Sequence, residues 1–223
     1  MPGEELNAIA DRYYEPNDGV RKSLAYFAEY ERILAPVREQ PIGIIELGVW
    51  NGASMLTWRD YLPNATIVGL DIAKEPPSAI RGVPRLHFVS GRQEDPAALG
   101  QALALSGGRP WLVVDDCSHV ARLAKRSFHY LFDHLSPGGS YVVEDIGTSF
   151  LHGVFDEGQN FREPPLVDDD PGITVFPSHT NGLVGFVKQL VDHGQRAVAL
   201  RAHNTLPIAR VSFLLNFAII EKS

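Results

Sequence analysis

Ile44-Ile45-Glu46-Leu47-Gly48-Val49-Trp50-Asn51-Gly52-Ala53-Ser54 reads as a buried strand, a glycine turn and the start of a helix. The apolar run Ile42–Leu47 is short and β-branched, as an interior strand of a parallel sheet requires. Gly48 and Gly52 permit positive φ and let a ligand approach the backbone, beside a helix N-terminus with free N–H groups. The next strand, Thr66–Asp71, closes on Gly69-Leu70-Asp71 and sets an acid where it can bond ribose hydroxyls. A dinucleotide fingerprint would need glycine at positions 48, 50 and 53, but Trp50 and Ala53 stand there, which disfavours a dehydrogenase. Glu46 is poor company for a diphosphate and good company for an amino group. The turn therefore suits a nucleoside-containing cofactor that carries an ammonium.

From this stretch the chain alternates in both directions. Arg21 to Leu34 has a helical pattern, Ala53–Tyr61 reads as a helix and Leu86–Val89 as a strand. Asp95–Leu105 reads as a helix with Asp95 as N-cap and Pro96 at its first position. The strand 111–114, the amphipathic stretch Val120–Leu135 and the strand Ser140–Glu144 follow. Regular βα alternation predicts an α/β fold with a mostly parallel sheet and helices on both faces. Residues 146–180 break the pattern with Asp168-Asp169-Asp170, glycines and prolines, and are expected to be a lid-like insertion. A helix is expected over Asn181–Asp192. Arg210–Leu214 and Phe217–Glu221, joined tightly at Leu215-Asn216, should close the sheet as an antiparallel hairpin.

The bulk numbers exclude several classes. With 223 residues the chain fits one α/β domain. A formal net charge of −7 argues against nucleic acid or an anionic membrane as partner. A single cysteine excludes an internal disulfide and suggests a cytoplasmic setting. There is no stretch of membrane-spanning length.

Two acidic clusters end adjacent strands: Asp115-Asp116-Cys117-Ser118-His119 and Glu144-Asp145. Parallel strands deliver their carboxyl ends to one edge, where open α/β sheets bind ligands. Carboxylates gathered there repel unless a cation compensates, and Mg²⁺ suits oxygen donors. Asp116, Glu144 and Asp145 are the candidate metal ligands. His119 lies three residues past Asp116; if a helix begins there, it shares a face with that acid and can act as general base. Cys117 reads as structural, because thiolates suit Mg²⁺ poorly. His129, His134, His193 and His203 read as surface or helix residues, and His152 and His179 fall in the insertion.

Glu46-Leu-Gly48-Val-Trp-Asn-Gly52-Ala-Ser54 and Asp71 resemble the cofactor motifs of class I S-adenosylmethionine-dependent methyltransferases. Asp115-Asp116-Cys-Ser-His119, with Pro137-Gly-Gly-Ser-Tyr-Val-Val-Glu144-Asp145 and Thr148-Ser149, is similar to a narrower group, the metal-dependent sugar O-methyltransferases of the mycinamicin and macrocin type, with cephalosporin-hydroxylase-like relatives. That group usually has glycine where Cys117 stands. The resemblance implies a Rossmann-like class I methyltransferase sheet in one domain over residues 1–223, with residues 1–40 as an N-terminal helical or lid segment. Tyr13, Tyr14 and Tyr26 are weak substrate-side candidates there. It implies S-adenosylmethionine held by Glu46, Gly48, Asn51, Gly52, Ser54, Asp71, Gln93, Asp95 and Asp115. It implies Mg²⁺ on Asp116, Glu144 and Asp145, with His119 as base. The implied reaction is methylation of a hydroxyl of a sugar or other vicinal diol in a secondary metabolite, by a homo-oligomer. A catechol or phenol O-methyltransferase, with Phe150, Phe155, Phe161 and Phe176 as the aromatic residues at hand, is a second reading. A cofactor-binding hydroxylase-type component without methyl transfer is a third.

Overall fold

A computed structural model describes residues 3–14, 21–151, 181–201, 206–214 and 216–223. Helices α1 (Glu4–Ala10) and α2 (Leu24–Leu34) precede the first strand, β1 (Gly43–Leu47). Then come α3 (Ala53–Tyr61), β2 (Thr66–Asp71), β3 (Leu86–Ser90), α4 (Pro96–Leu105) and β4 (Leu112–Asp115). They are followed by α5 (Ala121–Leu131), β5 (Ser140–Val143), α6 (Gly182–Ala199), β6 (Ile208–Leu214) and β7 (Phe217–Lys222). The sheet order is β3-β2-β1-β4-β5-β7-β6. β1 to β5 pair in parallel, and β7 pairs antiparallel with both β5 and β6. The expected architecture is the observed one.

Side chains alternate across the sheet, and the alternation builds two cores. Ile44, Ile67, Leu112, Val114, Val142 and Ile219 face α1, α2 and α3 around Trp58 and Tyr30. Ile45, Val68, Val113, Tyr141, Val143 and Ile220 face α4, α5 and α6 around Phe128 and Phe186. The same parity governs the strand ends. Glu46 continues the Ile44 face and Glu144 continues the Val142 face, so both turn toward α2. Asp115 continues the Val113 face and turns away.

Several boundaries differ from expectation. α1 is absent from the sequence reading, although Leu6, Ile9 and Ala10 have helical spacing and are buried, and Glu4 and Glu5 suit its positive end. A fork from Arg38 to Glu5, with N–O distances of 2.6 and 2.8 Å, ties α1 to the residues after α2. α6 runs seven residues past Asp192, which was the expected end. α4 begins as expected, with the Asp95 carboxylate accepting from Ala97 N and Pro96 at its start. Of the expected 146–180 insertion, Ile146–Phe150 forms a 3-10 turn, while residues 152–180, with His152, His179, Phe155, Phe161 and Phe176, lie outside the described residues, as does His203. Among the described residues no helix is long and apolar enough to cross a membrane.

Gly48, at φ +88°, carries the chain from β1 against the loop after β4. A Cβ at that position would press into the Asp116 carbonyl. Gly48→Ala should therefore lower Tm by about 4–10 °C, from a strained φ and a backbone clash together. Thermal unfolding checks this, and an unchanged Tm would show that the turn accepts a side chain.

Candidate active site

The C-terminal ends of β1, β2, β4 and β5 open on a cavity of about 830 Å³. One wall is the glycine turn with Asp71, Ile72 and the loop Gly91–Glu94. The opposite wall is N-terminal, with Tyr14, Arg21, Lys22, Ser23 and Tyr26. Asp116, Cys117, Ser118, His119, Glu144 and Asp145 form its floor.

The glycine-turn wall is held by hydrogen bonds within the chain. Asp71 accepts from Val49 N at 2.8 Å and Ala73 N at 2.9 Å, which fixes the turn against β2. Asn51 Oδ1 accepts from Ala53 N, the first residue of α3, while Ser54 and Trp50 face the cavity. Glu46 is buried beside the cavity, and its Oε2 has no hydrogen-bond partner among the described residues. Burial pushes its carboxyl up to about 7, with the Lys22 charge and the Ser54 hydroxyl opposing. A buried acid with an unused oxygen is a ready partner for a ligand ammonium.

The remaining cofactor candidates divide. Glu46, Gly48, Asn51, Ser54, Asp71 and Gln93 line the cavity; Gly52, Asp95 and Asp115 do not. Gly52, at φ +85°, packs its Cα side against Ile80, and the Asp95 carboxylate is spent on its helix cap. Asp115 faces the α4–α5 layer, where it accepts from Tyr141 at 2.9 Å and Gln93 at 3.1 Å. Burial raises its carboxyl to about 7. Gln93 is a brace: its Oε1 accepts from Ser118 N and the Ser118 hydroxyl, and its Nε2 donates to Asp115 and Ser127. It pins the loop that carries His119.

His119 reaches the floor by a different route from the helical one expected. α5 begins only at Ala121, and His119 sits in the preceding loop at φ +56°. Asp145 is also left-handed, at φ +53°. These two turns bring the donor atoms of Asp116, His119 and Asp145 within 4.8 Å of one another. His119 Nε2 lies 3.9 Å from Asp145 Oδ2. Histidine and aspartate tolerate left-handed backbone better than most residues, and such conformations gather at functional sites.

Three residues of the site went unseen in the sequence. Asn216 donates to Asp145 Oδ1 at 2.7 Å and accepts from Gly147 N at 2.7 Å, aiming the carboxylate from the β6–β7 connection. Lys22 Nζ donates to Asp116 at 2.8 Å and to Glu144 at 2.7 Å. Tyr30 donates its hydroxyl to the other Glu144 oxygen. Burial alone would lower the Lys22 pKa; Glu144 and then Asp116 more than reverse that, so its ammonium keeps its proton. Burial pushes the Cys117 thiol up to about 12, in keeping with a structural role. Tyr14 and Tyr26 line the cavity and Tyr13 does not: its hydroxyl bonds Asp60.

No family model matches the chain. It is 32% identical over 238 residues to the 8-demethyl-8-alpha-L-rhamnosyl tetracenomycin-C 2'-O-methyltransferase of Streptomyces olivaceus, across all of this chain and 55% of that one. It is 32% identical over 197 residues to the demethylmacrocin O-methyltransferase of Streptomyces fradiae, across 84% of this chain and 44% of that one. Among solved structures, the MycE methyltransferase from the mycinamycin biosynthetic pathway, in complex with Mg, SAH and mycinamycin VI, superposes with a TM-score of 0.75. That match has 27% identity and covers 97% of this chain and 53% of that chain. The chain spans about half the length of the curated relatives it matches. Its sheet is that of the class I methyltransferases. Within that class it is similar to the O-methyltransferases just named.

The buried Glu46 makes a prediction about stability. Its folded-state value near 7 lies above the ordinary 4.5, so between those values the folded chain holds more protons than the unfolded one. Its contribution is therefore full below about pH 4.5 and is lost as pH rises toward 7. Glu46→Gln should flatten the fall in Tm of chelator-treated protein between pH 5 and 7.5, by roughly 5–10 °C at the upper end. A fall as steep as that of the wild type would show that Glu46 ionises freely.

Proposed function

We propose that the chain is an Mg²⁺-dependent O-methyltransferase that moves the methyl group of S-adenosylmethionine to a hydroxyl of a sugar or similar vicinal diol in a secondary metabolite. The observation that carries this is the meeting of Asp116, His119 and Asp145 on the floor of the cavity that the Gly48 turn also lines. The relatives named above are O-methyltransferases, and the one from Streptomyces olivaceus is named for a rhamnosyl substrate, which supports the sugar reading. They lend none to the catechol reading or to the hydroxylase-component reading. The single cysteine and the lack of a membrane-length helix among the described residues support a cytoplasmic setting.

The residues present fit both absent groups. Glu46 would take the amino group of the methyl donor and Asp71 its ribose, with Gly48, Asn51 and Ser54 beside them. Asp116, Glu144 and Asp145 would hold the metal. Asp116 and Glu144 already converge on one cation of the chain itself, the Lys22 ammonium. A bound Mg²⁺ supplies charge that favours the ionised form of a neighbouring hydroxyl and fixes its orientation. Methyl transfer forms an O–C bond as the C–S bond breaks in line, so alignment provides much of the acceleration. His119 takes the hydroxyl proton on its imidazole. Histidine is a poor ligand for Mg²⁺ beside carboxylates, so the proximity of His119 to the two aspartates suits a base better than a further ligand.

His119→Ala separates these roles. With S-adenosylmethionine, Mg²⁺ and a panel of rhamnosyl and other glycosides bearing vicinal hydroxyls, the rate should fall about 10²-fold or more. Binding of S-adenosylhomocysteine and of Mn²⁺, read by calorimetry, should be retained. A near wild-type rate would overturn the base assignment, and loss of Mn²⁺ binding would make His119 a ligand.

A further inference from the structure

Lys22 belongs to the cavity's N-terminal wall yet bonds to its floor, 94 and 122 residues away in sequence. Its side chain is 5% exposed and that of Glu144 3%, so this pair is shielded from solvent. Lys22 holds one Glu144 oxygen and Tyr30 the other, while Lys22 also holds Asp116 Oδ2. Both Glu144 oxygens are thus engaged by donors of the N-terminal region. Asp116 is about a quarter exposed and Glu144 buried, and two carboxylates this close would be costly without a cation, a cost that the ammonium relieves. It also stands in the way of any other cation. Mg²⁺ would take up carboxylate oxygens that the ammonium now holds at 2.8 and 2.7 Å. Two cations that close repel strongly at such low exposure.

We propose that Lys22 is a built-in placeholder cation, which neutralises Asp116 and Glu144 while no divalent ion is bound and is displaced when the ion takes those carboxylates. The inference rests on the metal-dependent reading above. Arg21, Ser23 and Tyr26 line the same wall, so departure of Lys22 reshapes the surface on which an acceptor rests. Ion binding and Lys22 docking are then coupled, and each weakens the other by the same factor. Lys22 is a positioning residue in this scheme, since it acts through Asp116 and Glu144.

Mn²⁺ titration of the full chain at pH 8, with free ion read by electron paramagnetic resonance, tests the competition. Lys22→Met should bind Mn²⁺ about tenfold or more tightly than the wild type. A purely structural lysine would leave the affinity unchanged or reduce it. Equal or weaker binding in the variant overturns the placeholder role and leaves the metal reading standing. Absence of binding in both proteins removes the two together. A second measurement needs no variant. Acetic anhydride should label Lys22 of the wild-type chain about fivefold or more faster in saturating Mg²⁺ than in chelator, as read by mass spectrometry. Labelling that is unchanged or slower overturns the proposal.

Discussion

Like charges meeting at the end of a parallel sheet are the constraint on which this site depends. Glu46, Asp116, Glu144 and Asp145 come together where β1, β4 and β5 end, and Glu46 and Glu144 are almost wholly buried. Burial and mutual repulsion both oppose ionisation there, so the site needs positive charge to compensate it. Lys22 supplies one such charge from within the chain. The same demand makes the floor attractive to a divalent ion and the buried oxygen of Glu46 attractive to an ammonium.

The fold meets this constraint through alternation and a few special backbone turns. Strand parity sends Glu46 and Glu144 toward α2, where Lys22, Tyr30 and Tyr14 wait, and sends Asp115 into the opposite layer. Asp115 there joins Gln93, Ser127 and Tyr141, and Gln93 passes that rigidity to the His119 loop. Gly48 lets the turn touch the Asp116 backbone, so the glycine-turn wall and the acidic floor are built against each other. Left-handed turns at His119 and Asp145 then set the side chains that would act on the acceptor. The chemistry is thus placed by loops, while their positions are set by the sheet.

Much of this was legible in the residues. Short apolar runs ending in acids located the strands, and Asp95-Pro96 marked the start of α4 to the residue. The pairing of Gly48 with Asp71 and the convergence of two acidic clusters both follow from parallel alternation. Parity could also have separated Asp115 from Asp116, since it is readable from Val113 and Val114. Other features have no local signal. Lys22 meets its partners across 94 and 122 residues, and Asn216 meets Asp145 across 71. The reach of His119 depends on a left-handed backbone that spacing does not encode; the helical periodicity of α5 suggests another geometry.

On the proposed reading these carboxylates form one cation site beside the Gly48 turn. Anomalous scattering from crystals soaked in Mn²⁺ and S-adenosylhomocysteine tests it most directly. One strong peak is expected, bounded by Asp116, Glu144 and Asp145, with Lys22 withdrawn and His119 outside the coordination sphere. A peak elsewhere, or none in crystals that hold the nucleoside, would contradict it.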